Sequence, residues 1–153
     1  MSKIKAIVLD VDGVILDTSF LFTEISERGL KGDAMWDYFH KHCNSERVNL
    51  IEGFKDFYED LHLLRPFTST RFLLLTSRNE KVKEATIKKL NSEGIFFDEI
   101  YMRPEKDYRA SDIIKKETLQ ALQEDYDIRL YIDDDLSNCE AAKSLGIMTY
   151  RKV

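Results

Sequence analysis

In the segment Ala6–Asp17, AIVLDVDGVILD, Asp10 and Asp12 stand one residue apart, after an apolar run and before Gly13. Carboxylates that close repel one another, and left unpaired they would raise a pKa. A divalent cation is the simplest partner that keeps both ionised. A carboxylate leaving a buried strand is also a nucleophile toward phosphorus, dividing hydrolysis into formation and breakdown of an aspartyl phosphate. Asp10, first out of the run, takes that role. Asp12, two residues along, suits the general acid that protonates a leaving alkoxide and later deprotonates water.

Three further groups follow in order. Thr76 closes the run FLLLT and is followed by Ser77 and Arg78. Its hydroxyl would hydrogen-bond the transferring phosphoryl group, and Lys115 would neutralise that group and the nucleophile. Asp133 and Asp134 close LYID and supply carboxylates opposite Asp10. Asp10, Asp12, Asp133 and Asp134 are therefore the expected ligands of one Mg²⁺, a hard cation on hard oxygens. Simpler roles suit the neighbours: Asp135 caps a helix, Lys116 is a solvated charge, and His40, His42 and His62 are structural or surface residues.

The elements that carry these groups alternate between short apolar runs and longer helical patterns. Strands are expected at Ile4–Asp10, Phe72–Thr76, Glu99–Met102, Leu130–Asp133 and Ile147–Tyr150, continuous and apolar as in a sheet covered on both faces. Ile51, Phe54, Phe57, Leu61 and Leu64 form a helical stripe closed by Pro66. Asn79 is expected to cap a helix bearing Val82, Ala85 and Leu90, with Gly94 as its stop. Further helices span Asp112–Leu122 and Leu136–Leu145. Such units predict an α/β fold with a parallel sheet, every strand end lying on one edge. Residues 1–153 are expected to form a single domain. Within it, about 17–47 is a small helical insert, with helices at Thr18–Arg28 and Asp33–His42, over the C-terminal edge of the sheet. Phe20, Phe22, Trp36 and Phe39 read as its mini-core.

Composition narrows the function classes. A net charge of −5 supplies no basic field for a long nucleic-acid track. Cys43 and Cys139 lack metal-ligand spacing and are expected as free thiols. No apolar run approaches a membrane span and no signal-peptide pattern opens the chain, so a cytoplasmic protein is expected. The oligomeric state is not legible.

The order DVDGV, Thr at a strand end, Lys, then IDDD resembles the haloacid dehalogenase (HAD) superfamily. The resemblance implies a Rossmann-like five-stranded sheet in the order 5-4-1-2-3 and a phosphatase that depends on Mg²⁺. An aspartate at position 12 favours phosphoryl transfer over dehalogenation. The segments TSRNE at 76–80 and YMRPEKDYRASDIIKKE at 101–117 are further similar to the 3′-phosphatase domain of polynucleotide kinase/phosphatases of the phage type. That likeness implies that Ser77, Arg78 and Arg109 contact substrate phosphate, with Arg103 and Asp107 shaping the same edge. The expected substrate is a nucleic-acid or nucleotide phosphate, a 3′-terminal phosphate first. Free nucleotides or another small phosphomonoester are the alternative. A receiver-type phosphoacceptor module is the alternative from another class.

Overall fold

The computed structural model describes residues 2–153, the side chains of 66 and 67 excepted. The chain runs β1 (Ile4–Leu9), β2 (Leu16–Asp17), α1 (Ser19–Glu27), α2 (Asp33–His42), β3 (Asn49–Leu50), α3 (Phe54–Thr68) and β4 (Arg71–Asn79). After a 3-10 turn at Glu80–Val82 come α4 (Lys83–Ser92), β5 (Glu99–Arg103), α5 (Ser111–Leu122), β6 (Tyr126–Asp133), α6 (Leu136–Ser144) and β7 (Thr149–Arg151). Five strands form one parallel sheet in the order β5-β4-β1-β6-β7. Numbered along the chain within this sheet alone, that is the expected 5-4-1-2-3 read from the opposite edge. The β2–β3 ladder was not anticipated. It is antiparallel, pairs Leu16 with Leu50 and Asp17 with Asn49, and closes the stem from which α1 and α2 project.

Side-chain parity explains the two cores. Ile7 and Leu9 of β1, with Phe72 and Leu74 of β4, meet Phe54 and Tyr58 of α3 and Leu90 of α4. Ala6, Val8, Leu73 and Leu75 face the other way, against Leu119 and Leu122 of α5 and Ala142 of α6. β1 and β4 thus bury both faces, which is why they read as unbroken apolar sequence. One irregularity sets the site. Ala6 pairs with Ile128 but Ile7 pairs with Leu130, so Arg129 is an extra, bulged residue in β6. The bulge reverses parity and sends Tyr131 and Asp133 toward α5, the side to which Val8 and Asp10 also point.

Several boundaries differ from the sequence expectations. Helix α3 continues two residues past Pro66, to Thr68, and ends at Ser69 with φ 54°; a proline in the final turn removes a single backbone bond there. Asn79 caps the 3-10 turn by accepting from Lys81 N at 3.0 Å, so the α-helix starts only at Lys83. Strand β7 starts two residues later and ends one later than expected, because Gly146 (φ 78°) ends the turn after α6 and Ile147 packs into the α5/α6 core. Among the described residues, no helix is long and apolar enough to cross a membrane.

Candidate active site

The carboxyl ends of β1, β4 and β6, with the first turns of α5, bring the expected groups together. Asp10 N donates to Ile132 O at 2.9 Å, continuing the β1–β6 ladder and fixing the nucleophile candidate beside Asp133. Asp10, Asp133 and Asp134 each bring one oxygen to within 4.8 Å of the others. Lys115 Nζ donates to Asp10 Oδ1 at 2.9 Å and to Asp133 Oδ2 at 2.8 Å, leaving a third N–H. Asp133 also accepts from Asp135 N at 2.9 Å and from the Tyr131 hydroxyl.

The electrostatics follow from three clustered carboxylates and one ammonium, which bonds two of them. Burial raises the Asp10 pKa well above the ordinary range, outweighing the pull of Lys115, and Asp133 and Asp12 add to the rise. Burial and then the Asp133 charge raise that of Asp134. Burial opposes ionisation of Asp133 too, but Lys115, Tyr131 and Asp135 together hold it low. Lys115 is penalised by burial yet raised overall by Asp10, Tyr131 and Asp133. Gly13 makes the cluster possible: at φ 83°, an added Cβ would lie 1.9 Å from Asp134 Oδ2. Only glycine tolerates both the backbone and that approach.

Asp12 stands apart. Its carboxylate belongs to Arg78, which donates from Nε to Oδ2 at 2.9 Å and from Nη2 to Oδ1 at 2.7 Å; Thr18 Oγ1 adds a bond at 3.1 Å. The side chain of Asp12 is thus no part of the three-carboxylate group, contrary to its expected place among the metal ligands. Oδ1 thereby accepts two bonds and Oδ2 one, which leaves Oδ2 a lone pair that can take a proton.

The substrate-contact role expected of Arg78 is likewise corrected. Arg78 is 1% exposed. Nη1 donates to Asn44 Oδ1 at 2.6 Å and Thr86 Oγ1 at 3.1 Å, and Nη2 to Cys43 O at 3.1 Å. With the two bonds to Asp12, its five donors are all engaged inside the protein. Strand parity turns it toward α4 and the end of α2, away from Ser77, which meets the Ser111 hydroxyl of α5.

The remaining residues sort by location. Thr76 is buried, its Oγ1 accepting from Arg78 N at 3.1 Å. Arg103 pins the loop before α5 by donating to Ser77 O, Asp107 O and Arg109 O. Arg109 lies at the surface, clamped between Asp107 and Glu117. Lys116 is exposed. Asp135 caps α6, accepting from Asn138 N at 3.0 Å. His40 accepts from Asn79 N at 3.3 Å, tying α2 to the end of β4. In the insert, Phe39 packs with Leu21, Ile25 and Cys43, whereas Trp36 and Phe22 are about half exposed, at 48% and 45%.

Sequence reasoning missed Tyr131, Asn44 and Ser111. Their only signals were a tyrosine two residues before Asp133 on the same strand face, and polar side chains at element ends. A groove of about 630 Å³ lined by Phe54, Phe57, Leu130, Met148 and Tyr150 lies on the α3 side of β6; none of the clustered carboxylates lines it.

A family model described as HAD superfamily, subfamily IIIB (acid phosphatase), matches residues 1–151. The chain belongs to this family. That places it in the HAD superfamily, and β5 ends in Arg103 where a receiver would carry its acceptor aspartate. A search by sequence among curated proteins finds no match. Among solved structures, a chain of the Pnkp1/Rnl/Hen1 RNA repair complex is similar with TM-score 0.75 and 21% identity, over 99% of this chain and 43% of that one. The class C acid phosphatase from Bacillus anthracis with tungstate bound gives 0.66 and 21%, over 95% and 63%. The haloacid dehalogenase-like protein SP0104 from Streptococcus pneumoniae gives 0.66 and 18%, over 99% and 85%. The chain therefore spans less than two thirds of the first two, and at these identities the likeness speaks for the fold.

Proposed function

We propose that this phosphatase is a Mg²⁺-dependent phosphomonoesterase working through an aspartyl phosphate on Asp10, with a nucleic-acid or nucleotide phosphate as substrate and a 3′-terminal phosphate first. The observation that carries the chemistry is the juxtaposition of Asp10, Asp133 and Asp134, with Lys115 bridging the first two. The donor set fits the cation: hard oxygens, in a site where burial first and the neighbouring carboxylates second leave Asp10 and Asp134 with raised pKa values. When bound, Mg²⁺ supplies charge neutralisation to the phosphoryl oxygens and to the carboxylates.

The chain's own residues supply the rest. An Asp10 oxygen forms the bond to phosphorus while the bond to the leaving oxygen breaks, and Asp12 delivers its proton to that oxygen. Water then loses a proton to Asp12 and attacks phosphorus, releasing phosphate and restoring Asp10. Arg78 keeps the Asp12 carboxylate in place through both steps. The free N–H of Lys115 and the Thr76 hydroxyl bond the phosphoryl oxygens. Ser77 and Arg109 would contact the substrate phosphate.

The substrate reading draws on the small insert at about 17–47, taken as a cap short enough to leave the sheet edge open to a polynucleotide end. It also draws on the neighbour from an RNA repair complex. The acid phosphatase family favours a second reading, hydrolysis of free nucleotides or other small phosphomonoesters. Phosphate release from 3′- and 5′-phosphorylated oligonucleotides, mononucleotides and sugar phosphates, each with Mg²⁺ and with EDTA, separates them. The 3′-phosphorylated oligonucleotide should give the highest kcat/KM and EDTA should abolish turnover. A preference for mononucleotides would establish the second reading, and indifference to EDTA would refute the metal site.

A further inference from the structure

We propose that Tyr131 is a positioning residue that holds Asp133 in the orientation in which it binds the divalent cation. The inference rests on the phosphatase reading above and adds a side chain that takes no part in the reaction itself. Tyr131 is completely buried, its ring in the α5/α6 core with Ala6, Val8 and Leu119. At such a position phenylalanine would pack as well, so the hydroxyl needs a separate reason. A buried tyrosine hydroxyl ordinarily finds a partner, and here the partner is Asp133 Oδ2.

Counting bonds at Asp133 gives that contact its meaning. The residue is 0% exposed, so water does not serve it. Oδ2 accepts from Tyr131 and from Lys115 Nζ at 2.8 Å, which fills its two lone pairs. Oδ1 accepts from Asp135 N at 2.9 Å and keeps one lone pair for the cation. Three donors from three directions fix the plane of the carboxylate. Lys115 cannot do this alone, because it also serves Asp10. Removing the phenolic donor frees Asp133 to rotate and half-empties Oδ2 in a dry site. The bulge at Arg129 is what places Tyr131 on this face, so the same irregularity that aims Asp133 also supplies its support. Partners of this kind around metal-binding carboxylates change affinity by about 10–100-fold.

The test is Mg²⁺ binding by titration calorimetry to the full chain, as wild type, Tyr131→Phe and Tyr131→Met, with each variant's thermal midpoint measured in EDTA. The expected result is wild-type binding, an affinity loss of about tenfold or more in the folded variants, and midpoints in EDTA no more than a few degrees from wild type. At saturating Mg²⁺ the KM for a phosphomonoester should be unchanged. Wild-type affinity in a folded variant would overturn the positioning role, as would variants that lose Mg²⁺ affinity only in proportion to a general loss of folding. Absence of Mg²⁺ binding by the wild type would overturn the metal reading itself. The methionine variant serves if the phenylalanine variant does not fold.

Discussion

Asp10 and Asp12 look equivalent in the sequence, but their surroundings divide them. Asp10 enters a buried group with Asp133 and Lys115, whereas Asp12 is taken by Arg78. Replacing Arg78 by Gln leaves the Asp12 carboxylate without its bidentate partner and Asn44 Oδ1 without its donor, while Thr86 Oγ1 keeps only the bond from Asn44 Nδ2. Breaking a fully buried pair costs about 3–5 kcal/mol; the 23% exposure of the Asp12 side chain places this case lower, at about 2 kcal/mol. Denaturant melts should show that loss, and kcat should fall by about 10²–10⁴-fold, the range for a misplaced acid–base. Full activity in a folded Arg78→Gln would show that the pairing does not position Asp12. At Gly13, alanine adds about 1–2 kcal/mol of backbone strain and displaces the Asp134 carboxylate. Gly13→Ala should therefore weaken Mg²⁺ binding beyond what its thermal midpoint explains, and an unchanged affinity would separate Asp134 from the cation.

At the scale of elements, the strands were legible because doubly covered strands have no polar face to interrupt them. Gly94 and Gly146 marked two helix ends because both adopt positive φ, at 79° and 78°. The bulge was not legible. Arg129 looks like any exposed strand residue, and its effect emerges only when Ile7 skips to Leu130. The partners of Arg78 were equally hidden, since Asp12 lies 66 residues away and Asn44 lies 34 away. A triplet after a strand suggests exposure, yet strand parity turned the arginine inward. Asp98 shows how loop chemistry holds the sheet edge: it accepts from Phe72 N and from Arg65 Nη2, both at 2.7 Å. Partial burial works against its charge, but these donors outweigh it and the pKa is lowered. The unfolded carboxylate titrates near about 3.9, so its stabilisation is complete above that value and fades as pH falls through the lower folded one. Asp98→Asn should cost about 1 kcal/mol at pH 7, after allowance for solvent screening. Urea titrations should find the difference from wild type shrinking below about pH 4. A difference independent of pH would assign the effect to packing.

For the whole molecule, the ordered set of Asp, Thr, Lys and Asp pairs pointed to the fold because a parallel sheet delivers all its strand ends to one edge. What the sequence could not order was the division of labour within that edge. Arg109 and Arg78 both looked available to substrate, and one is clamped at the surface by Asp107 and Glu117 while the other is buried. The central claim is that Asp10 takes the phosphoryl group. The most direct measurement is acid-quenched single turnover with a ³²P-labelled 3′-phosphorylated oligonucleotide and Mg²⁺, followed by peptide mapping. Wild type should carry transient label on the peptide containing Asp10, and Asp10→Asn should carry none and release no phosphate. Label on another residue, or turnover by the folded Asp10→Asn variant, would contradict it.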